Sequence, residues 1–102
     1  MFTQITDADY RDKIAATQAG VLLCFKKLCP HCKNMEKVLE KFAVTNPDLT
    51  FLSLDSEENP VAMKELEAER APTILVIKGG KVVVKKAGLM NPREMAALYQ
   101  GA

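Results

Sequence analysis

The chain has 102 residues, 48% hydrophobic and 26% charged, with a formal net charge of +1. That length predicts one domain over residues 1–102, which buries roughly 60–70% of its unfolded surface and so needs no staples to hold a core. The near-neutral charge gives no ground for a nucleic-acid or membrane partner, and no run of apolar residues is long enough to span a bilayer.

Residues 1–7 have neither a basic n-region nor an apolar h-region, which predicts a cytoplasmic protein. Phe2 to Thr6 alternates weakly and predicts a short first strand. Thr6-Asp7 offers an N-cap for a helix that turns Ala8, Ile14 and Ala15 inward and ends near Gly20. Val21 to Phe25 is a continuous apolar run, the pattern of a strand covered on both faces. The next helix runs from Pro30 to about Thr45, with Met35, Val38, Leu39 and Phe42 at i, i+3, i+4 and i+7 and charged residues outside. Leu49 to Asp55 is a further strand. Glu57-Glu58-Asn59-Pro60 opens a helix to about Glu69 that buries Val61, Met63 and Leu66. Ile74 to Ile77 and Val82 to Lys86 are strands joined by a Lys78-Gly79-Gly80-Lys81 hairpin turn. A last helix, Pro92 to about Gln100, buries Met95, Ala96 and Leu98 or Tyr99. The order β-α-β-α-β-α-β-β-α predicts an α/β fold with a mixed sheet and helices on both faces.

Chemistry concentrates where the central strand hands over to a helix, at Leu28-Cys29-Pro30-His31-Cys32-Lys33. Pro30 suits the first helical position, since its missing N–H is one that the helix start leaves unpaired anyway. Cys29 then falls at the N-cap and Cys32 near N3. A thiolate on Cys29 faces unpaired amides and the positive end of the helix macrodipole. Such surroundings favour thiolate over thiol, and thiolate is the nucleophile of disulfide exchange. Two cysteines at this spacing are also common zinc ligands, but a closed site needs four and only Cys24 and His31 remain as candidates. A lone C-x-x-C beside a β/α pattern in a non-secreted chain reads as redox, with no metal.

With these elements in place the chain resembles the thioredoxin family nearly end to end. The resemblance is carried by the C-x-x-C after a central strand, Ala71-Pro72-Thr73 before the next-to-last strand, the Gly79-Gly80 hairpin and Gly88 after the last strand. It implies a thioredoxin fold, a central mixed sheet of four to five strands flanked by helices. It also implies a protein-disulfide oxidoreductase without cofactor, with Cys29 as the attacking thiol, Cys32 as the resolving one and Cys29–Cys32 as the redox-active disulfide. Pro72 would be a cis proline beside that disulfide, with Ala71 offering backbone groups to a substrate strand. Leu28, Pro30, Ala71, Ala87, Gly88 and Leu89 would form a shallow apolar surface for substrate. The implied partners are disulfide-containing proteins and a thioredoxin-reductase-type electron donor; a monomer is the default expectation.

The chain also departs from the family. A typical thioredoxin has Trp-Cys-Gly-Pro-Cys, whereas this stretch is Leu28-Cys29-Pro30-His31-Cys32 and the chain has no tryptophan. Pro30 and His31 are therefore the residues expected to tune the thiolate. A positive charge on His31 stabilises the thiolate of Cys29, hence the reduced form, and makes the disulfide a better oxidant. Pro-His between the cysteines resembles the periplasmic disulfide oxidases of the same superfamily, but their inserted helical domain has no room here. The family's buried aspartate is Leu23 and its lysine partner Phe51, so both members of an ion pair are absent together. Cys24 is expected to be an inert core residue, and Lys26, Lys27 and Lys33 flank the site. Two further readings stay open: a disulfide oxidase or isomerase, and a non-catalytic binding module on the same fold.

Overall fold

The computed structural model describes residues 1–102. Its elements are β1 (Thr3–Ile5), α1 (Tyr10–Ala15), β2 (Ala19–Phe25), α2 (Pro30–Thr45), β3 (Thr50–Asp55), α3 (Pro60–Glu65), β4 (Thr73–Lys78), β5 (Lys81–Ala87) and α4 (Pro92–Gln100). The strands form one mixed sheet in the order β1-β3-β2-β4-β5. β3 pairs parallel with β1 and β2, while β4 pairs antiparallel with β2 and β5. Sheet and flanking helices match the architecture read from the sequence. No helix is long and apolar enough to cross a membrane.

The apolar run of β2 is continuous because both faces of this central strand are covered. Successive side chains on a strand point to opposite faces, so β2 divides between two cores. Leu22 and Cys24 join Ile5, Tyr10, Ile14, Leu52 and Leu54 beside α1 and α3. Val21 and Leu23 join Met35, Leu39, Phe42, Phe51 and Met95 beside α2 and α4. Burying a side chain of this size stabilises the fold by about 1.5–3 kcal/mol. β2 is the central strand, and its carboxyl end is fixed by a neighbour on each side. Its Phe25 pairs with Asp55 of β3, and the Phe25 carbonyl accepts the Ser56 amide at 2.8 Å.

The first helix is shorter than the sequence pattern suggests. Thr6 and Asp9 close a turn, with the Thr6 amide donating to Asp9 Oδ1 at 2.7 Å, and the helix starts only at Tyr10. Asp7 is drawn elsewhere: its carboxylate accepts the Ala62 amide at 2.7 Å and so caps α3 from across the fold. Tyr10 and Ile14 take the buried places, while Ala8 and Ala15 are exposed. Gly20, expected at the end of that helix, lies within β2. In α3 the buried residues are Ala62 and Met63, Leu66 is half-buried, and Val61 faces solvent at 57% exposure. That helix stops at Glu65 rather than near Glu69, because Glu67 turns left-handed at φ 55°. Lys85 reaches over this end to the carbonyls of Leu66 and Glu67, at 3.4 and 3.2 Å.

α4 carries a capping box: the Glu94 amide donates to Asn91 Oδ1 at 2.8 Å and the Asn91 amide to Glu94 Oε1 at 3.1 Å. It buries Met95, with Ala96, Leu98 and Tyr99 packed partly against the same core. The β4–β5 hairpin turns on Gly79 and Gly80, both at positive φ.

Gly20 sets how closely β2 approaches β3. A Cβ at this position would lie 2.4 Å from the Thr50 carbonyl oxygen and 2.8 Å from Thr17 Cγ2. Backbone cannot yield as a flexible side-chain tip can. Gly20→Ala is therefore expected to destabilise the fold by about 1–3 kcal/mol. A urea midpoint equal to that of the unmutated protein would show that the strands separate freely.

Candidate active site

Cys29 is the N-cap of α2 and Pro30 its first residue, as the sequence pattern places them. With extended backbone at Cys29 (φ −142°, ψ 105°), its side chain turns back over the helix start. The sulfur accepts a hydrogen bond from the Cys32 amide at 3.2 Å, one of the donors that a helix start leaves without a partner. The Cys29 carbonyl accepts the Lys33 amide at 3.2 Å, so the first turn is closed around this residue. Both cysteines are free thiols, but they are not equivalent. Cys29 is half-buried, whereas Cys32 is only 2% exposed.

Burial pushes the Cys32 thiol up to about 11, with hydrogen bonding to the Cys29 sulfur adding to the effect and the Lys26 backbone amide opposing it. Cys24 lies in the sheet core between Leu54 and Thr73, and burial pushes its thiol up to about 12. It is shut away from solvent, as expected of a small hydrophobe in a core.

Beside the cysteine turn lies a shallow depression of about 350 Å3, lined by His31, Arg70, Ala71, Pro72, Ala87, Gly88 and Leu89. The Ala71–Pro72 peptide bond is cis. The Gly88 amide donates to the Pro72 carbonyl at 2.8 Å and ties the two sides of the depression together. Neither the N–H nor the C=O of Ala71 has a partner within the chain, so both remain available to an extended segment laid alongside. Of the residues expected to form an apolar surface, Ala71, Ala87, Gly88 and Leu89 gather here, with Pro72 among them. Leu28 and Pro30 do not line the depression: Leu28 projects from its loop at 97% exposure and Pro30 faces solvent. Arg70 is the lining residue that the sequence reading passed over. Its only signal there was adjacency to Ala71-Pro72.

Of the three lysines flanking the cysteines, Lys27 is paired with Glu58 at 3.1 Å, while Lys26 and Lys33 have no ion pair. Leu23 is 1% exposed and shares a core with Phe51, so the two positions where the family carries a buried ion pair are both apolar here. No cluster of three or more histidine, cysteine or carboxylate side chains is arranged to hold a metal ion.

The chain matches the thioredoxin family model over residues 1–100. It belongs to the thioredoxin family. The sheet and helices described above are thus a thioredoxin fold, and membership makes the chain a thiol–disulfide oxidoreductase. Among solved structures it is similar to the reduced desulfothioredoxin of Desulfovibrio vulgaris Hildenborough. That likeness has a TM-score of 0.88 at 44% identity, covering 99% of this chain and 97% of the other. It is 32% identical to thioredoxin-2 of Saccharomyces cerevisiae over 94 residues, 90% of this chain and 89% of the relative. It is 28% identical to the thioredoxin of Chlamydia trachomatis over 100 residues, 96% and 95% of the two chains.

The buried thiol of Cys24 makes this thioredoxin's stability depend on pH. A thiol in the unfolded chain ionises near its ordinary value of 9.0, whereas folded Cys24 keeps its proton to about 12. Through that window the folded state binds more protons than the unfolded one, so stability falls as pH rises, by up to about 1.4 kcal/mol per pH unit. The reduced protein is expected to lose stability between pH 9 and 12 more steeply than its Cys24→Ala variant. Parallel stability–pH curves from denaturant unfolding would contradict the assignment.

Proposed function

We propose that this thioredoxin reduces protein disulfides, with Cys29 attacking and Cys32 resolving. The observation that carries the proposal is the Cys29 sulfur at the start of α2, receiving the Cys32 amide at 3.2 Å, while Cys32 itself is buried. An amide aimed at a sulfur stabilises it more as a thiolate than as a thiol, because a hydrogen bond to an ionised acceptor is the stronger. The half-buried sulfur is the one a substrate can reach.

A substrate segment would lie along Ala71, whose free N–H and C=O pair with its backbone, over the depression floored by Pro72 and Leu89. The Cys29 thiolate attacks one sulfur of the substrate disulfide. A Cys29–substrate bond forms, and the other substrate sulfur leaves as a thiolate. Cys32 then loses its proton, attacks the Cys29 sulfur and expels the first substrate sulfur. The products are a substrate dithiol and a Cys29–Cys32 disulfide, two electrons having passed to the substrate. A thioredoxin-reductase-type donor returns them.

The second step meets an obstacle. Burial pushes the Cys32 thiol above the ordinary thiol value and so holds it protonated at neutral pH. Leu23 offers no carboxylate to take the proton, so it passes to water, to His31 or to the substrate thiolate released in the first step. The mixed disulfide should therefore be long-lived. Cys32→Ser is expected to hold substrates covalently on the protein, released by dithiothreitol, whereas Cys29→Ser holds none. Equal capture by both variants, or by neither, would rule out the assigned order of attack.

A second reading, as a disulfide oxidase or isomerase, is favoured by His31, which is exposed in the first turn of α2 and lines the depression. Positive charge there stabilises reduced Cys29 and raises the potential above the about −270 mV of ordinary thioredoxins. His31→Pro is expected to lower the potential by tens of millivolts, about 30 mV for each 1.4 kcal/mol of lost thiolate stabilisation. An unchanged potential in glutathione redox buffers would remove His31 from this role.

A further inference from the structure

Arg70 is the one arginine, lysine, aspartate or glutamate lining the depression, and it forms no ion pair within the chain. Its carbonyl accepts the Thr73 hydroxyl at 2.7 Å, which fixes the backbone from which the side chain departs. Its guanidinium is exposed and has no carboxylate partner. The ion pairs of the molecule join Arg11 to Glu65, Lys27 to Glu58 and Lys85 to Glu67. Glu67, which lines the adjoining depression with Arg70, is thus already engaged. Glu69, the chain neighbour of Arg70, lines that adjoining depression and not this one. A segment bound here meets Ala71, Pro72, Ala87 and Leu89 and an arginine that has no ion pair.

We propose that Arg70 is a specificity-determining residue, and that this thioredoxin prefers disulfides bearing an aspartate or glutamate one or two residues from the attacked cysteine. The inference rests on the reading that substrate lies along Ala71. An extended segment advances about 3.3 Å per residue, so a chain paired with Ala71 brings a near neighbour of its cysteine opposite Arg70. Arginine presents a planar set of donors that matches a carboxylate with two parallel hydrogen bonds. Lys26 and Lys33 attract acidic partners only diffusely, and salt screens that attraction over roughly 8–10 Å. The arginine contact is local and depends on where the carboxylate stands.

The test uses fluorogenic peptide disulfides with aspartate or asparagine beside the cysteine, and a third with the aspartate six residues away. Single-turnover reduction by the pre-reduced protein gives a second-order rate constant for each. The adjacent aspartate is expected to raise that constant about fivefold over asparagine, as a partly desolvated pair does, and the distant one to have little effect. Arg70→Gln should bring the ratio to about one, and Arg70→Lys should restore part of it. A ratio near one in the unmutated protein, or one that survives Arg70→Gln, overturns the inference while leaving disulfide reduction in place. Reduction of none of the peptides would overturn both.

Discussion

The proposed chemistry of this chain depends on one hydrogen bond, from the Cys32 amide to the Cys29 sulfur, and on the helix start that supplies it. A helix leaves its first amides unpaired, and here a thiol takes the place that serine, threonine or aspartate usually fills. The position of that start is set by β2, whose central place in the sheet immobilises its carboxyl end. A site at the carboxyl ends of parallel strands is a general consequence of open α/β sheets. Its asymmetry follows from the same geometry. The N-cap residue lies at the helix tip, half in solvent, while the third helical residue turns under the first turn and is buried. One cysteine is thereby partly exposed and the other buried.

Leu23 and Phe51 separate two properties that a buried carboxylate–ammonium pair would join. An ion pair in a core costs desolvation that its attraction rarely recovers in full, and well-packed apolar residues in its place are often neutral or stabilising. Here both positions lie in one apolar cluster with Met35, Leu39 and Phe42, and no charge is stranded. The fold gives up nothing. What position 23 lacks is a carboxylate that could take a proton, while burial pushes the Cys32 thiol up. In the proposed mechanism, stability and the speed of the resolving step thus pull in opposite directions at position 23.

Much of this was legible in the sequence because the governing signals are local. Pro30 after Cys29 marks a helix start, two glycines between β-branched runs mark a hairpin, and continuous apolar runs mark strands covered on both faces. The errors arose where a distant partner intervened. Asp7 looks like a cap for the helix that follows it, yet its carboxylate goes to the Ala62 amide, and α1 starts at Tyr10 instead. Val61 fits a helical apolar pattern, but Ala62 faces the core once the helix is capped that way. Leu28 sits beside Cys29 in sequence and yet stands outside the depression, while Arg70 reaches it from the other side of the cis proline. Adjacency along the chain does not say which side chains converge in space.

In the proposed mechanism, the thiolate with which Cys29 attacks also limits what it can do. Each interaction that favours its ionised form, the Cys32 amide or a charge on His31, stabilises the reduced protein relative to the disulfide. The couple then becomes a weaker reductant as the fraction of attacking thiolate grows. Intrinsic nucleophilicity declines as the thiolate is stabilised, so the gain in rate also saturates. A change at His31 moves along this trade-off at a position that contributes nothing to the core, since His31 is exposed. On this proposal the exchange is tuned through a surface side chain, with Cys29 at the helix start left as it is.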